Sequence, residues 1–402
     1  MSFVRASEDA SGQTAAPKHS EHVRRKTDHV QVALHEDVEF HTVTTGFERY
    51  SLPYEALPEI DRRDVDTSTT LLGKWLSMPL IISSMTGGTD EGRGFNRLFA
   101  EAAQEFGIAM GVGSQRVAIE DARLADTFHV RDIAPDILLF ANLGAIQLNN
   151  GCGVDSCARA VEMIGADALM LHINPLQECV QPGGNTNFRD LARRIGEVCR
   201  ALEVPVLVKE VGHGISARTA ELLADAGVAG IDVAGAGGTS WAKVESHRAR
   251  ATHSQSSRSG HASVPTSSGS SRSSCASVPA SSGSSRSGRA SVPAWGVTPG
   301  ETLGEWGIPT VDSLLAAREA APGKLLIASG GVRSGEDIAK SIALGANAAG
   351  IALPLLRCAA LSRDALHDRI AQLRDELAAV MFCAGARTIE ELRLLSLRRV
   401  GI

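Results

Sequence analysis

Between Pro79 and Leu353 the chain repeats one grammar, a short apolar or small-residue run followed by an amphipathic stretch. The runs are PLIISSM (79–85), AMGVGS (109–114), DILLFANLG (136–144), ALMLHIN (168–174), VPVLVKEVG (204–212), GIDVAG (230–235), LLIASGG (325–331) and AAGIAL (348–353), eight in all. Runs this short and this continuously apolar suit strands covered on both faces. Between them, GFNRLFAEAAQEFG and TAELLADAGV carry the spacing of helices with one apolar side. Strands and helices that alternate in this way predict an α/β protein with a parallel sheet. Eight strands ending in Gly, Ser, Asn or Lys fit a closed (β/α)8 TIM barrel, because that fold carries its chemistry on the loops after the strands' C-terminal ends. An open doubly wound sheet is the alternative use of the same elements.

Two stretches break the grammar. Residues 1–20 are polar and offer little to bury, so they read as a disordered tail ahead of a single domain over 21–402. Residues 246–295 contain SRSGHASVPTSSGS, SRSSCASVPASSGS and SRSGRASVPAWGV, starting at Ser257, Ser271 and Ser285, a fourteen-residue period. Repeats can stack into solenoids, but each copy here offers one Val and some Ala, too little for a shared core. The segment therefore reads as a disordered, repeat-expanded loop inserted after the sixth strand.

Composition excludes several classes. With 43% hydrophobic residues the chain has material for a large core, and its net charge of −6 argues against a general nucleic-acid binder. No apolar run is long enough to span a bilayer and the polar start lacks a signal-peptide core, so no membrane association and a cytoplasmic location are expected. Seven cysteines, at 152, 157, 179, 199, 275, 358 and 383, form no CxxC pair and read as free thiols rather than a metal or disulfide framework.

Glycine at a strand end lets a phosphate approach the main chain and leaves amide hydrogens to meet it. SSMTGG (83–88), AGAGGTS (234–240) and SGGVRSGED (329–337) are such places, although any one of them is also an ordinary tight turn. The last follows the seventh strand, where many barrels bind phosphate, and brings Gly330, Gly331 and Arg333 near Ala352 and Leu353 after the eighth. Lys209 closes the fifth strand, placed to stabilise an anionic ring or to act as a nucleophile unless it merely snorkels past the rim. In LHINPLQE, strand alternation puts His172 and Asn174 on one side, and Pro175 turns the chain into a loop bearing Gln177 and Glu178. Glu178 is a hard oxygen ligand for a divalent cation if substrate phosphates complete its shell; a solvated loop charge is the plainer reading. RRKTDH (24–29) and GSQR (113–116) add two cationic clusters able to hold a diphosphate, where a charge run is otherwise a solvated face.

From about residue 22 to the C-terminus these segments resemble the type 2, flavin mononucleotide-dependent isopentenyl-diphosphate isomerases. RKTDH, SSMTGGT, GSQR, ANLGA, LHINPLQE, KEVG, AGGTSW, WGIPT and SGGVR stand in that family's order. The resemblance implies an isomerase that moves a carbon–carbon double bond in a small diphosphate, using reduced FMN, Mg2+, and NADPH as flavin reductant, and assembling as a homo-oligomer. It implies that Ser84, Met85, Thr86, Ser114, Asn142, Lys209, Thr239, Gly331, Val332, Arg333, Ala352 and Leu353 surround FMN. Substrate contacts would fall to Arg25, Lys26, His29, Ser114, Gln115, Arg116, His172, Asn174 and Gln177, with Gln177 catalytic and Glu178 on the metal. Members have a much shorter connection where the repeats sit here. A 2-hydroxy acid oxidase would need a His and Arg pair that AGAGGTSW lacks, and an inosine-monophosphate dehydrogenase would need a shaped cysteine loop where only Cys275 lies. A non-catalytic barrel that binds a partner through the repeat loop is the remaining alternative.

Overall fold

The computed structural model describes residues 16–259 and 297–401. Eight parallel strands close into a barrel. They are β1 (Leu80–Ile82), β2 (Ala109–Gly111), β3 (Leu139–Gly144), β4 (Ala168–His172), β5 (Val206–Lys209), β6 (Gly230–Asp232), β7 (Leu325–Ser329) and β8 (Ala348–Ile351). Each apolar run of the sequence contributes one strand, and β8 pairs with β1 to complete the ring.

The two-residue period of a strand decides what each run does. Leu80 and Ile82, Leu139 and Ala141, Leu169 and Leu171, and Val206 and Val208 face outward into the main core under the helices. Their neighbours Ile81, Ala109, Phe140, Ala168, Met170, Leu207, Ile327 and Ala348 fill the interior as a second apolar cluster. A hairpin, Thr69–Leu71 with Lys74–Leu76, adds Leu71 and Leu76 to that cluster and so plugs the barrel floor. One alternation further up, the inward positions turn polar. His172, Lys209 and Asp232 lie side by side in register on β4, β5 and β6. A barrel packed at the floor and polar at the top has its site at the top.

Side-chain caps fix several helix starts, among them those at Thr89, Ser216, Ser334 and Ser362. After β7, Ser334 and Asp337 form a capping box that begins the helix Gly335–Ala343, which fixes where the SGGVR turn ends. The C-terminal segments form the helices Arg363–Cys383 and Ile389–Leu394 and pack on the outside of the barrel. Among the described residues no helix is long and apolar enough to cross a membrane, and the six described cysteines are free.

Two expected boundaries move. The helix Ala16–His35 begins inside the stretch read as tail, so the tail expectation extends at most over 1–15, outside the described residues. Similarly, the helix Trp241–Ser259 runs through residues 246–259, which the serine content had assigned to the inserted loop. Its first turns are anchored by buried Ala242, Val244, Glu245 and Ser246, and an anchored helix propagates through the Ala, Arg and Gln that follow. Ser246 hydrogen-bonds Thr298 across the insertion, so the chain leaves and re-enters the barrel at one place. The rest of the repeat segment, 260–296, lies outside the described residues.

Candidate active site

A cavity of about 270 Å³ opens at the C-terminal mouth of the barrel. A single water needs roughly 10–15 Å³ by this measure, so the space is of cofactor size. Its walls are of two kinds.

One end is main chain and hydroxyls. The turns after β6 and β7 press together so closely that a Cβ on Gly330 would sit 2.1 Å from the Gly235 carbonyl oxygen, and one on Gly238 would sit 2.3 Å from the Gly331 nitrogen. Gly330 and Gly331 also have φ of +97° and +75°, which side chains disfavour. Thr239, Gly331, Val332, Arg333, Ala352 and Leu353 line this end. Next to Ala352 and Leu353, Ser84, Met85 and Thr86 follow β1, the strand paired with β8. The Ser84 Oγ and Thr86 Oγ1 are buried with no hydrogen-bond partner among the described residues. Buried hydroxyls left unpaired cost free energy unless a ligand meets them, and a glycine cradle next to an arginine suits a phosphate, so these residues fit a flavin mononucleotide. Lys209 stands between the two ends, its Nζ donating to the Glu210 carbonyl at 2.7 Å and lying 4.0 Å from Asp232.

The other end is charged side chains from distant segments. On the helix Ala16–His35, residues His22, Arg25, Lys26, His29, Val30 and Ala33 line the cavity, the i, i+3, i+4 stripe of one helix face. Arg24 falls outside that stripe. Lys26 Nζ donates to the Ser114 carbonyl at 2.6 Å. Burial, with Arg25 beside it, brings its pKa down to about 7. His172 Nδ1 is 2.9 Å from Asn142 Oδ1. Burial, then Lys209 and Lys26, push His172 down to about 4, so its ring is neutral at pH 7. Gly144 on β3 makes room for that ring, since a Cβ there would lie 3.1 Å from His172 Nε2. Ser114 and Arg116 complete this wall.

Pro175 opens the short helix Pro175–Val180, which carries Gln177 and Glu178 inward. The Gln177 amide is oriented at both ends: Oε1 accepts from Asn174 Nδ2 at 3.0 Å and Nε2 donates to Glu245 Oε1 at 3.1 Å. Glu178 accepts from Asn174 Nδ2, Gln181 Nε2 and the Asn185 amide. Asn174 Oδ1 beside it is buried and unpaired among the described residues, a second oxygen suited to a hard cation. Among those residues no cluster of three or more His, Cys, Asp or Glu could hold a metal without the substrate's oxygens.

Gln115 is a correction. Expected to touch substrate, it is instead fully buried and does not line the cavity. Its Oε1 accepts from the Asn142 amide at 2.9 Å and its Nε2 donates to the Ala160 carbonyl at 2.8 Å. With both amide ends spent on the main chain it ties the turn after β2 to β3 and to the helix Val154–Ile164. The other expected site residues all reach the one cavity.

Glu245 was not anticipated. Its side chain is completely buried and joins Gln177, His29 (2.8 Å) and Arg248. Although burial raises its pKa, His29 and Arg248 hold it well below the usual carboxylate range. Gln147 was missed too; it lines the cavity with its Oε1 unpaired among the described residues. The only sequence signals were a lone acid in the helix after the sixth strand and a glutamine after ANLGA.

A family model described as FMN-dependent dehydrogenase matches residues 19–131 and 305–399. An isopentenyl-diphosphate delta-isomerase of a Nostoc species is 48% identical over 369 residues, covering 92% of this chain and 93% of that protein. One from Cronobacter sakazakii is 42% identical, covering 96% and 99%. Among solved structures, a mandelate oxidase with (S)-2-phenylpropionate aligns with a TM-score of 0.57 at 18% identity, covering 96% of this chain and 99% of that one. A mandelate oxidase variant with (S)-mandelic acid gives 0.58 at 17%, again covering 96% and 99%. At those identities the structural likeness speaks for the barrel alone. The sequence likeness reaches further: the chain belongs to the isopentenyl-diphosphate delta-isomerase family, within the FMN-dependent dehydrogenases.

Proposed function

We propose that this protein converts isopentenyl diphosphate into dimethylallyl diphosphate, with FMN at the glycine-lined end of the cavity and Mg2+ on Glu178. The observation that carries the reading is the single cavity that joins a phosphate cradle and unpaired hydroxyls to a cationic wall around an oriented glutamine.

Moving the double bond adds a proton at one carbon and removes one from another, so atoms and electrons balance within the substrate. Reduced FMN, when bound, supplies a polarisable ring that stabilises positive charge and exchanges a proton, and NADPH is needed only to reduce it. Arg25, Lys26, Arg116 and His172 hold the diphosphate and orient the alkene. Glu178, with Asn174 Oδ1, offers oxygens to a cation whose shell the diphosphate completes. Gln177 lies beside the reacting carbons, its amide held in one orientation by Asn174 and Glu245. The hydroxyls of Ser84 and Thr86 meet the flavin.

The test is to supply isopentenyl diphosphate, FMN, Mg2+ and a reductant without oxygen and look for dimethylallyl diphosphate. No conversion overturns the reading. Gln177→Ala is expected to lower kcat roughly 10²- to 10⁴-fold with flavin retained; loss of flavin would show that Gln177 is misplaced. Omitting Mg2+ or adding a chelator is expected to abolish turnover, and unchanged turnover removes the metal from Glu178.

A further inference from the structure

The phosphate end of the cavity contains a group that an anion site has no obvious use for. Glu39 lines the cavity beside Gly331 and Arg333. One carboxylate oxygen pairs with Arg333 Nη2 at 2.8 Å and the other with Arg357 Nη1 at 3.0 Å. Its place is set by main chain. The segment around it runs alongside residues 238–240, with the Phe40 amide donating to the Gly238 carbonyl and the Ser240 amide to the Val38 carbonyl. Lys243 Nζ also donates to the Glu39 carbonyl at 2.6 Å. Because Gly238 touches Gly331, this strap cannot sit elsewhere without opening the glycine cradle.

We propose that Glu39 is an internal competitor for the cofactor's phosphate and so sets how strongly the protein distinguishes FMN from a flavin that lacks one. The proposal rests on the FMN reading above. In the free protein the carboxylate occupies both guanidinium groups and cancels one of their two positive charges. An incoming phosphate must take one or both from it, and a doubly charged phosphate does so better than a weaker anion. Selectivity is then achieved by a standing repulsion as well as by attraction. A flavin without phosphate never meets this contest.

The experiment is a titration of flavin-free protein with FMN and with riboflavin, followed by quenching of flavin fluorescence. Glu39→Gln keeps the shape and removes the charge. It is expected to bind FMN roughly two- to fivefold more tightly, the range for partly exposed ion pairs, with riboflavin affinity unchanged and the gain shrinking as salt rises. Glu39→Ala must show the same direction. FMN affinity that is unchanged or weaker in both variants overturns the proposal. So does an equal shift for riboflavin, which would make the residue a packing element. Wild-type protein that binds no FMN would instead overturn the FMN reading itself.

Discussion

At the glycine-lined end of the cavity the wall is largely main chain, with Gly235, Gly238, Gly330 and Gly331 in mutual contact after two neighbouring strands. At the charged end it is side-chain tips, brought by a helix at residues 16–35, a short helix at 175–180 and another at 241–259. The first end carries few charged side chains beyond Glu39, Arg333 and Arg357. The second holds half-buried Lys26, His29 and His172 with buried Glu245, and neighbouring charges shift the protonation of each. A group that stays in place through many turnovers suits the first kind of wall, and a diphosphate that enters and leaves suits the second.

The sharpest way to break this contrast is Gly330→Ala. The added Cβ meets the Gly235 carbonyl and φ is positive, so a cost of about 2–5 kcal/mol is expected. Flavin should be lost on purification and the melting temperature should fall by several degrees; normal flavin retention would show that this wall is softer than it looks. Next, Glu245→Gln removes the buried charge but not the shape. A fall in kcat of roughly 10²-fold with flavin still bound is expected, because Gln177 and His29 lose their common anchor. A change in KM alone would place Glu245 in binding rather than orientation.

A smaller effect should appear in pH. Burial holds Lys26 near 7, so the free protein loses this ammonium as pH rises through 7, and diphosphate affinity should fall by up to about tenfold per pH unit above it. Lys26→Met should bind more weakly and show no such slope. The sign for stability is the reverse. Between about 7 and 10.5 the unfolded chain holds the Lys26 proton that the folded one has lost, so this group makes folding more favourable as pH rises across that window. Denaturant midpoints over that range would check it against Lys26→Met. Last, Ser84→Ala should weaken FMN by about 0.5–1.5 kcal/mol and leave flavin-free stability unchanged or slightly better, since the hydroxyl has no partner within the described residues. The flavin titration reads the first and thermal melting the second.

Much of this was legible because it is local. Each barrel strand is one apolar run, and period-two alternation already put His172 and Asn174 on one side. Glycine turns also declare themselves by composition. What escaped notice lies at positions whose partners are far away in the chain. Gln115 sits between two expected site residues, yet its side chain turns to Asn142 and Ala160, a choice made by the packing of β2 against β3. Glu245 meets His29 across more than two hundred residues, and Glu39 meets Arg333 and Arg357 across about three hundred. Serine content misplaced the start of the insertion, because an anchored helix continues through residues that would not start one.

By itself the sequence determined the barrel, the phosphate-friendly strand ends and the cationic N-terminal segment, since each follows from spacing or residue type within a few positions. Only the tertiary structure decided which of these side chains face one another. It set the His29–Glu245–Gln177 linkage and the Glu39 contest at the phosphate end, because burial and the charges of residues remote in sequence fix orientation and protonation.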